Sequence, residues 1–142
     1  MSDLRLERDF TASPERLFRA VSTQSELLQW WGPEGLHIPE GDLDFTRPGP
    51  WYSRMQGNEA QKFKVSGQVT HVDAPHSVGF TWAWHDDQDR RGVESHVTFT
   101  VIARGSGSRL IIDHRYLDDS EQSARHEAGW ISSLRKLTKH VT

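Results

Sequence analysis

The sequence of 142 residues contains no cysteine, which excludes disulfide bonds, thiolate catalysis and cysteine-ligated zinc. It also lacks a basic run, and its formal net charge is −3, so we expect neither nucleic acid nor an anionic membrane as a main partner. No apolar run is long enough to span a bilayer, and the charged N-terminus lacks the apolar segment of a signal peptide. These absences predict a soluble, cytoplasmic protein.

Several motifs of enzyme and metal sites are missing as well. The chain has no GxSxG, P-loop or dinucleotide-binding fingerprint. Its eight histidines include no pair with the HExxH spacing of helical zinc sites. The acidic stretch "HDDQDRRG" lacks the glycine and the terminal glutamate that an EF-hand requires. We therefore predict no cofactor and no metal site, and a solvated hairpin loop at that stretch.

Hydrophobic periodicity indicates one strand, two short helices, six strands and one long helix, in that order. A period-two pattern near the start predicts the first strand. Ser13 as N-cap and Pro14 at the first helical position begin a short helix. The segment "TQSELLQWWGP" predicts a second short helix, which its Gly-Pro pair ends.

Alternating apolar residues from about Leu36 to Leu117 predict the six later strands, the first of them around Leu43 and Phe45. The short connections between them favour antiparallel pairing. A long amphipathic helix follows over about residues 120–141, with Asp119 or Ser120 as its cap. A sheet needs cover on one face, and this helix alone matches its size. We expect a single α+β domain over residues 1–142, with a seven-stranded antiparallel sheet curled around the helix.

The long helix places its smallest and largest residues, Gly129 and Trp130, side by side. Glycine weakens a helix interior by roughly 1 kcal/mol relative to alanine, so its presence needs a reason. Helical periodicity places six residues on one face toward the sheet: His126, Gly129, Trp130, Ser133, Leu134 and Leu137. We interpret Gly129 as allowing the helix to approach the sheet closely, and Trp130 as filling space where the sheet curls away. Such a layout leaves a gap between helix and sheet.

The order of elements and several short segments resemble the START-like (SRPBCC) superfamily, which has the helix-grip or Bet v 1-like fold. The segments that carry the resemblance are "SPERLFRAV", "LLQWWGP", "WYSRM", "GQV", "FTWAW", "SHVTFTV", "SRLIIDH" and "HEAGWISSLRKL". Within the superfamily they are similar to the domains related to the activator of heat-shock protein 90 ATPase. The resemblance implies the helix-grip fold. It does not fix the function, because the superfamily includes lipid carriers, hormone receptors, cyclases and co-chaperones.

Large side chains and two histidines on the predicted inner surfaces are candidates for a ligand cavity. The candidate ligand-binding residues are Trp51, Met55, Trp82, Trp84, His114, Tyr116, His126 and Trp130. Ligand sites combine an apolar lining with a few polar groups, but aromatic rings equally often only pack a core. Either histidine could act as an acid, a base or a hydrogen-bond donor, or simply bond to the backbone near a sheet edge. The Trp30-Trp31 pair is either an exposed partner surface or tucked onto the sheet.

The leading hypothesis is non-enzymatic binding of a small apolar or aromatic molecule between the sheet and the last helix. The alternative is a protein-interaction, co-chaperone-like module, which the resemblance implies, although we expect the separate N-terminal domain of the eukaryotic activators to be absent. The third is an enzyme similar to the superfamily's cyclases, with His114 or His126 as the acid–base group. No catalytic residue is assigned otherwise. A homodimer is compatible with the sequence but not required by it.

Overall fold

The computed structural model describes residues 2–57, 62–117 and 120–141. The strands are β1 (Ser2–Phe10), β2 (Leu36–Asp42), β3 (Gly49–Gly57), β4 (Lys62–Asp73), β5 (Ser77–Trp84), β6 (Ser95–Arg104) and β7 (Gly107–Leu117). The helices are α1 (Pro14–Ser22), α2 (Gln24–Trp30) and α3 (Ser120–Val141). The predicted order of elements is confirmed.

All seven strands form one antiparallel sheet in the order β1-β7-β6-β5-β4-β3-β2. Strands β2 to β7 are neighbours in chain order, as short connections between antiparallel strands require. Strand β1 closes the other edge by pairing with β7, so α1 and α2 connect the two edges. The predicted α+β class and the seven-stranded sheet are confirmed.

The first of the six later strands lies earlier than the alternation at Leu43 and Phe45 predicts. Strand β2 ends at residue 42, and both side chains are nevertheless fully buried. The N–H of Leu43 donates to Gln24 Oε1 at 2.7 Å, and the N–H of Phe45 donates to the carbonyl oxygen of Ser22 at 2.9 Å. The strand assignment here was wrong, because this stretch finds its hydrogen-bond partners in the helical region instead of in the sheet.

The end of α2 is buried against the core. Trp30 and Trp31 are 0% and 2% exposed, and each indole N–H has a partner. Trp30 Nε1 donates to the carbonyl oxygen of Ala20 at 2.8 Å, and Trp31 Nε1 donates to Ser53 Oγ of β3 at 3.0 Å. The interpretation that the pair tucks onto the sheet is confirmed, and the exposed partner surface is wrong.

Glu26 of α2 connects all three helices. Its carboxylate accepts hydrogen bonds from Arg16 and Arg19 of α1, the latter at 3.0 Å. Its Oε1 also lies 3.0 Å from His140 Nε2 near the end of α3. The start of α1 is fixed separately, since Ser13 accepts the backbone N–H three residues on and acts as the predicted N-cap.

Helix α3 lies across the inner face of the sheet. Its His126, Trp130, Leu134 and Leu137 side chains are at most 9% exposed, which confirms the predicted inward face. The Trp130 ring lies 5.4 Å from the ring of Trp82 on β5. The predicted cap of this helix falls outside the residues whose side chains the structure describes. Neither α3 nor another helix in the described ranges is long and apolar enough to cross a membrane.

The polar segment between β5 and β6 forms the predicted hairpin loop. An antiparallel bridge pairs His85 with Arg91 and closes its base. Inside the loop, Asp86 Oδ1 accepts the backbone N–H groups of Gln88 and Arg90, each at 2.9 Å. A carboxylate that holds two N–H groups of its own loop fixes the conformation of that loop.

Candidate functional site

A cavity of about 430 Å³ lies between α3 and the inner face of β3, β4 and β5. Its apolar lining consists of Trp31, Gly32, Pro33, Met55, Phe63, Trp82, Trp84, Gly129 and Trp130. Its polar lining consists of Gln122, Arg125, His126 and Ser133. Phe63 is 45% exposed and Arg125 is also exposed, so these two side chains mark the mouth. The volume and the mainly apolar lining are those of small-molecule sites.

Two periodicities bring these side chains together. Alternation along β5 directs Trp82 and Trp84 to the same face of the sheet. On α3, spacings of three and four residues align Gln122, His126 and Gly129 along one side of the helix. The cavity therefore follows from a strand pattern and a helix pattern that face each other.

One wall of the cavity is fixed by a hydrogen bond between sheet and helix. Trp84 Nε1 donates to His126 Nε2 at 3.0 Å, while His126 Nδ1 lies 2.8 Å from the carbonyl oxygen of Gln122. A carbonyl only accepts, so Nδ1 carries the proton and Nε2 is the acceptor. His126 is therefore neutral, and both of its nitrogens are engaged.

A second histidine supports the cavity from behind. His114 is fully buried, and its Nδ1 accepts the indole N–H of Trp130 at 3.1 Å. Its Nε2 donates to Ser95 Oγ at 2.7 Å, and that hydroxyl donates to the carbonyl oxygen of Trp82 at 3.3 Å. This chain of hydrogen bonds links α3 through β7 to β6 and β5, and it fixes the orientation of the Trp130 ring.

Both histidines are held in the neutral form. Burial lowers the pKa of His114 to about 3, and the nearby His126 and His96 add to the effect. Burial also lowers the pKa of His126, against the hydrogen bond to Gln122, which raises it. The rings of His114 and His126 lie 4.6 Å apart, so charging one would oppose charging the other.

The structure brings five of the eight predicted residues together as lining of the cavity: Met55, Trp82, Trp84, His126 and Trp130. Two others lie behind this lining in the core. Trp51 is 2% exposed, donates to the carbonyl oxygen of Thr81 at 3.1 Å and packs its ring 5.8 Å from Trp82. His114 does not line the cavity, but its hydrogen bond to Trp130 orients a ring that does.

The predicted position of Tyr116 in this cavity is wrong. Tyr116 has a φ of 65°, which is uncommon for a residue with a side chain, and it is 56% exposed. This backbone change interrupts the alternation of β7, so that Leu117 is buried instead. Tyr116 borders a neighbouring depression of about 170 Å³, which shares Trp82, Trp84, Gln122 and His126 with the cavity.

The interpretation of Gly129 as a point of close approach is also wrong. A Cβ placed on Gly129 would meet only Pro33 Cγ, at 3.9 Å, which is ordinary contact. Gly129 lines the cavity, so the missing side chain leaves space for the cavity itself. Glycine lowers the stability of the helix at this position, but any larger side chain would fill part of the cavity.

Sequence reasoning missed several lining residues. Trp31 was considered only as a surface or packing residue, yet its ring lies 5.9 Å from Trp130 and 5.7 Å from Trp82. Phe63 precedes the buried alternation of β4 and projects at the mouth, 6.4 Å from the Trp84 ring. Spacing along α3 could have identified Gln122, one helical turn before His126, since both lie on one helix side.

The lining also contains a donor without a partner. Among the described side chains, the buried polar atoms that lack a hydrogen-bond partner are Trp82 Nε1 and Ser123 Oγ. Leaving such a group unpaired costs about 1–3 kcal/mol. Across the described ranges, no group of three or more histidine or acidic side chains is arranged to hold a metal ion.

Comparison with solved structures supports the same architecture. The AHSA1 protein from Silicibacter pomeroyi is 64% identical, with 97% of this chain and 96% of that chain covered and a TM-score of 0.93. A protein from Chromobacterium violaceum is 23% identical, with 99% and 98% covered and a TM-score of 0.85. A protein from Mycobacterium smegmatis is 20% identical, with 98% and 87% covered and a TM-score of 0.78. The last two show the fold alone.

No curated protein gives a significant match to the sequence. Residues 11–142, however, match the family described as Activator of Hsp90 ATPase homolog 1-like protein. The match covers the two short helices, six of the seven strands and α3, and it agrees with the resemblance carried by the sequence segments. The chain therefore belongs to the Activator of Hsp90 ATPase homolog 1-like family.

Proposed function

We propose that this protein binds a small, mainly apolar or aromatic molecule in the cavity between the sheet and α3, without catalysing a reaction on it. The observation that carries the proposal is the cavity of about 430 Å³ bounded by indole rings. Ligand sites of this kind typically measure roughly 300–1,000 Å³. An aromatic-walled space of this size suits one or two fused rings or a medium-length acyl chain.

The rings that bound the cavity are already held in place. The N–H of Trp84 is bonded to His126, and the N–H of Trp130 is bonded to His114. A site whose walls are ordered before binding loses little conformational entropy when a ligand enters. Core packing alone does not require a cavity beside these rings, so their arrangement supports a binding role.

Polar groups at two places favour a ligand with an acceptor. Trp82 lines the cavity, and its N–H is buried without a partner, so a ligand acceptor that reached this group would remove the cost of leaving it unpaired. Arg125 brings a positive charge to the mouth. We therefore expect carboxylates and phenols to bind better than hydrocarbons of the same size.

The cyclase-like alternative receives less support from the geometry. A general acid or base needs a nitrogen that can exchange a proton with a substrate. Both nitrogens of His114 and both of His126 are committed to protein partners. Burial also lowers the pKa of each ring, so neither stores a proton near neutral pH.

The interaction-module alternative rests on the family description. The tryptophan pair that would have formed an exposed patch is buried. The interaction module becomes the better hypothesis if the experiments below detect no ligand binding in the cavity.

The proposal is tested with Gly129→Phe, which places a ring in the cavity. We expect naphthoic acid, indole and decanoate to quench or shift the tryptophan fluorescence of the wild type, and the variant to bind at least about tenfold more weakly, which corresponds to 1.4 kcal/mol. Ala128→Phe is the matched control, because it adds the same ring one residue earlier on α3, where the side chain is exposed and does not line the cavity. Thermal unfolding checks that both variants fold.

Binding lost in Gly129→Phe and kept in Ala128→Phe would place the ligand in the cavity. Equal affinities in the two variants, or no response of the wild type to any member of the panel, would contradict the proposal.

A further inference from the structure

We propose that Ser66, His85 and Asp89 form a nucleophilic site on the outer face of the sheet, which takes the acyl group of small polar esters and transfers it to water. This site lies on the opposite face from the cavity and does not depend on the proposed ligand function. Its chemistry is acyl transfer through a serine ester.

The three side chains stand in the order that this chemistry needs. Ser66 Oγ lies 2.6 Å from His85 Nε2, and His85 Nδ1 lies 2.8 Å from Asp89 Oδ1. A carboxylate that accepts the Nδ1 proton leaves Nε2 free to accept a proton from the serine hydroxyl. Nucleophile, base and orienting acid are thus all within hydrogen-bond reach.

Local structure explains why these residues meet. The N–H of His85 donates to the carbonyl oxygen of Lys64 at 2.9 Å, which continues the pairing of β4 and β5 by one residue. Residues 66 and 85 therefore project from the same, outer face. The His85 side chain is 8% exposed, so its ring is held in position.

The hairpin loop between β5 and β6 positions the Asp89 carboxylate beside His85. Asp89 adopts a φ of 61°, a conformation that aspartate accepts more readily than most residues. Asp86 fixes the loop around it through two backbone N–H groups. Lys64 Nζ lies 3.0 Å from Asp89 Oδ1, and this hydrogen bond lowers the pKa of Asp89 against the opposing effect of desolvation. The carboxylate is ionised and directed at His85.

A guanidinium group stands beside the nucleophile. Arg91 Nε donates to Ser66 Oγ at 3.0 Å, and another nitrogen donates to the Ser66 carbonyl oxygen at 3.1 Å. Glu94 holds the same side chain at 3.2 Å. A fixed cation at this point stabilises negative charge on the serine oxygen, and also on the oxygen of an ester carbonyl whose carbon the serine attacks.

The neighbouring surface indicates a polar substrate. A groove of about 550 Å³ runs beside His85 and Asp89. Its border carries charges of both signs, from Arg54, Lys62, Lys64, Glu40, Asp86 and Asp87, and it shares Met55 and Phe63 with the rim of the cavity. An acyl group with polar substituents fits this surface better than a long alkyl chain.

The reaction balances with water as the sole co-reactant. Ser66 Oγ attacks the ester carbonyl carbon while its proton passes to His85 Nε2, and the bond to the leaving alcohol breaks as the alcohol takes that proton. His85 then removes a proton from water, and the water oxygen attacks the acyl-serine carbonyl. The proton returns to Ser66 Oγ as the carboxylic acid leaves.

The test uses the full chain and p-nitrophenyl acetate as the probe. We expect release of p-nitrophenol and, after rapid quenching, one acetyl group mapped to Ser66 by peptide mass spectrometry. The rate of p-nitrophenol release is measured after the hydrolysis in buffer alone is subtracted. Ser66→Ala and His85→Gln should each lower this rate by about 100-fold, and Asp89→Asn should lower it by at least about 10-fold. Ser77→Ala is the matched control and should leave the rate unchanged, because Ser77 pairs with a different histidine, His71, at 3.5 Å.

Circular dichroism checks the fold of each variant. Mapping the acetyl group in the wild-type protein is independent of whether any variant folds. Acetyl groups found on lysine instead of Ser66, or a His85→Gln rate equal to that of the wild type, would overturn the proposal.

Discussion

His114 illustrates what one buried titratable residue does to stability. Its ring is neutral in the folded protein because burial lowers its pKa to about 3, whereas an exposed histidine has a pKa of about 6.5. Between these two values the unfolded chain binds more protons than the folded protein. Linkage then requires that the stability contributed by His114 is complete above about pH 6.5 and is lost as the pH falls toward 3.

We predict that the free energy of unfolding falls between pH 7 and pH 5, with a contribution from this residue of up to about 1.4 kcal/mol per pH unit. Urea unfolding at several pH values measures it. His114→Gln should lose much of this slope even if it lowers stability throughout. His76→Gln, at an exposed histidine, should keep the slope of the wild type, and equal slopes in all three proteins would contradict the assignment.

At the scale of residues, periodicity predicted the site where the backbone is regular. Trp82 and Trp84 on a strand, and His126 and Trp130 on a helix, line the cavity as their spacing indicates. Tyr116 was misplaced because a positive φ interrupts its strand, and no residue type in the sequence signals that change. The hydrogen-bond partners of His114 could not be predicted either, since Ser95 and Trp130 come from two other elements, β6 and α3.

At the scale of elements, the carboxylate of Glu26 in α2 connects all three helices through hydrogen bonds to α1 and α3. Glu26 is largely buried; burial alone would raise its pKa, but hydrogen bonds from Arg16, His140 and Arg19 together lower it. We predict that Glu26→Gln destabilises the protein by about 1–3 kcal/mol, because it replaces charge-assisted hydrogen bonds with weaker neutral ones. Chemical denaturation measures the loss.

The same substitution should speed amide hydrogen exchange in the last turn of α3, where His140 loses its charged partner. Amide exchange in β6 provides the internal control, because none of the hydrogen bonds of Glu26 described above reaches that strand. Unchanged exchange at the end of α3 would mean that this helix end is held by apolar packing alone.

Element boundaries were less predictable than the elements themselves. The alternation at Leu43 and Phe45 resembles a strand, but it belongs to a buried connection whose N–H groups bond to the helical region. Two buried side chains separated by one residue occur in either structure, so the pattern cannot distinguish them. The hairpin loop after β5 was predicted correctly because its acidic residues have an evident role in turns.

At the scale of the whole molecule, charge predicts the absence of one class of partner. The net charge of −3 and the mixed signs along the sequence give no basic run that could displace counterions from phosphates. We predict no saturable binding to duplex DNA at physiological salt below about 100 μM protein in a filter-binding assay. Tight binding that weakens steeply with added salt would contradict this prediction.

The overall fold was accessible from the sequence because several independent signals agree. Short connections, period-two strands and one long C-terminal helix leave few arrangements of an antiparallel sheet. The family resemblance selected the helix-grip arrangement among them. The cavity and the outer-face site depend instead on small distances between separate elements, and these become visible only in the structure.

The indole rings of the inner face have a consequence for how the protein absorbs and emits light. All six tryptophans belong to one network, in which Trp31 neighbours Trp30, Trp51, Trp82 and Trp130, and Trp82 neighbours Trp84. The ring centroids of these pairs lie 5.4–6.0 Å apart. At such separations we expect energy absorbed by one ring to migrate to its neighbours, and circular dichroism to show the bands of coupled indoles. We therefore expect a single quencher seated against Trp84 to lower the emission of more rings than the one it touches.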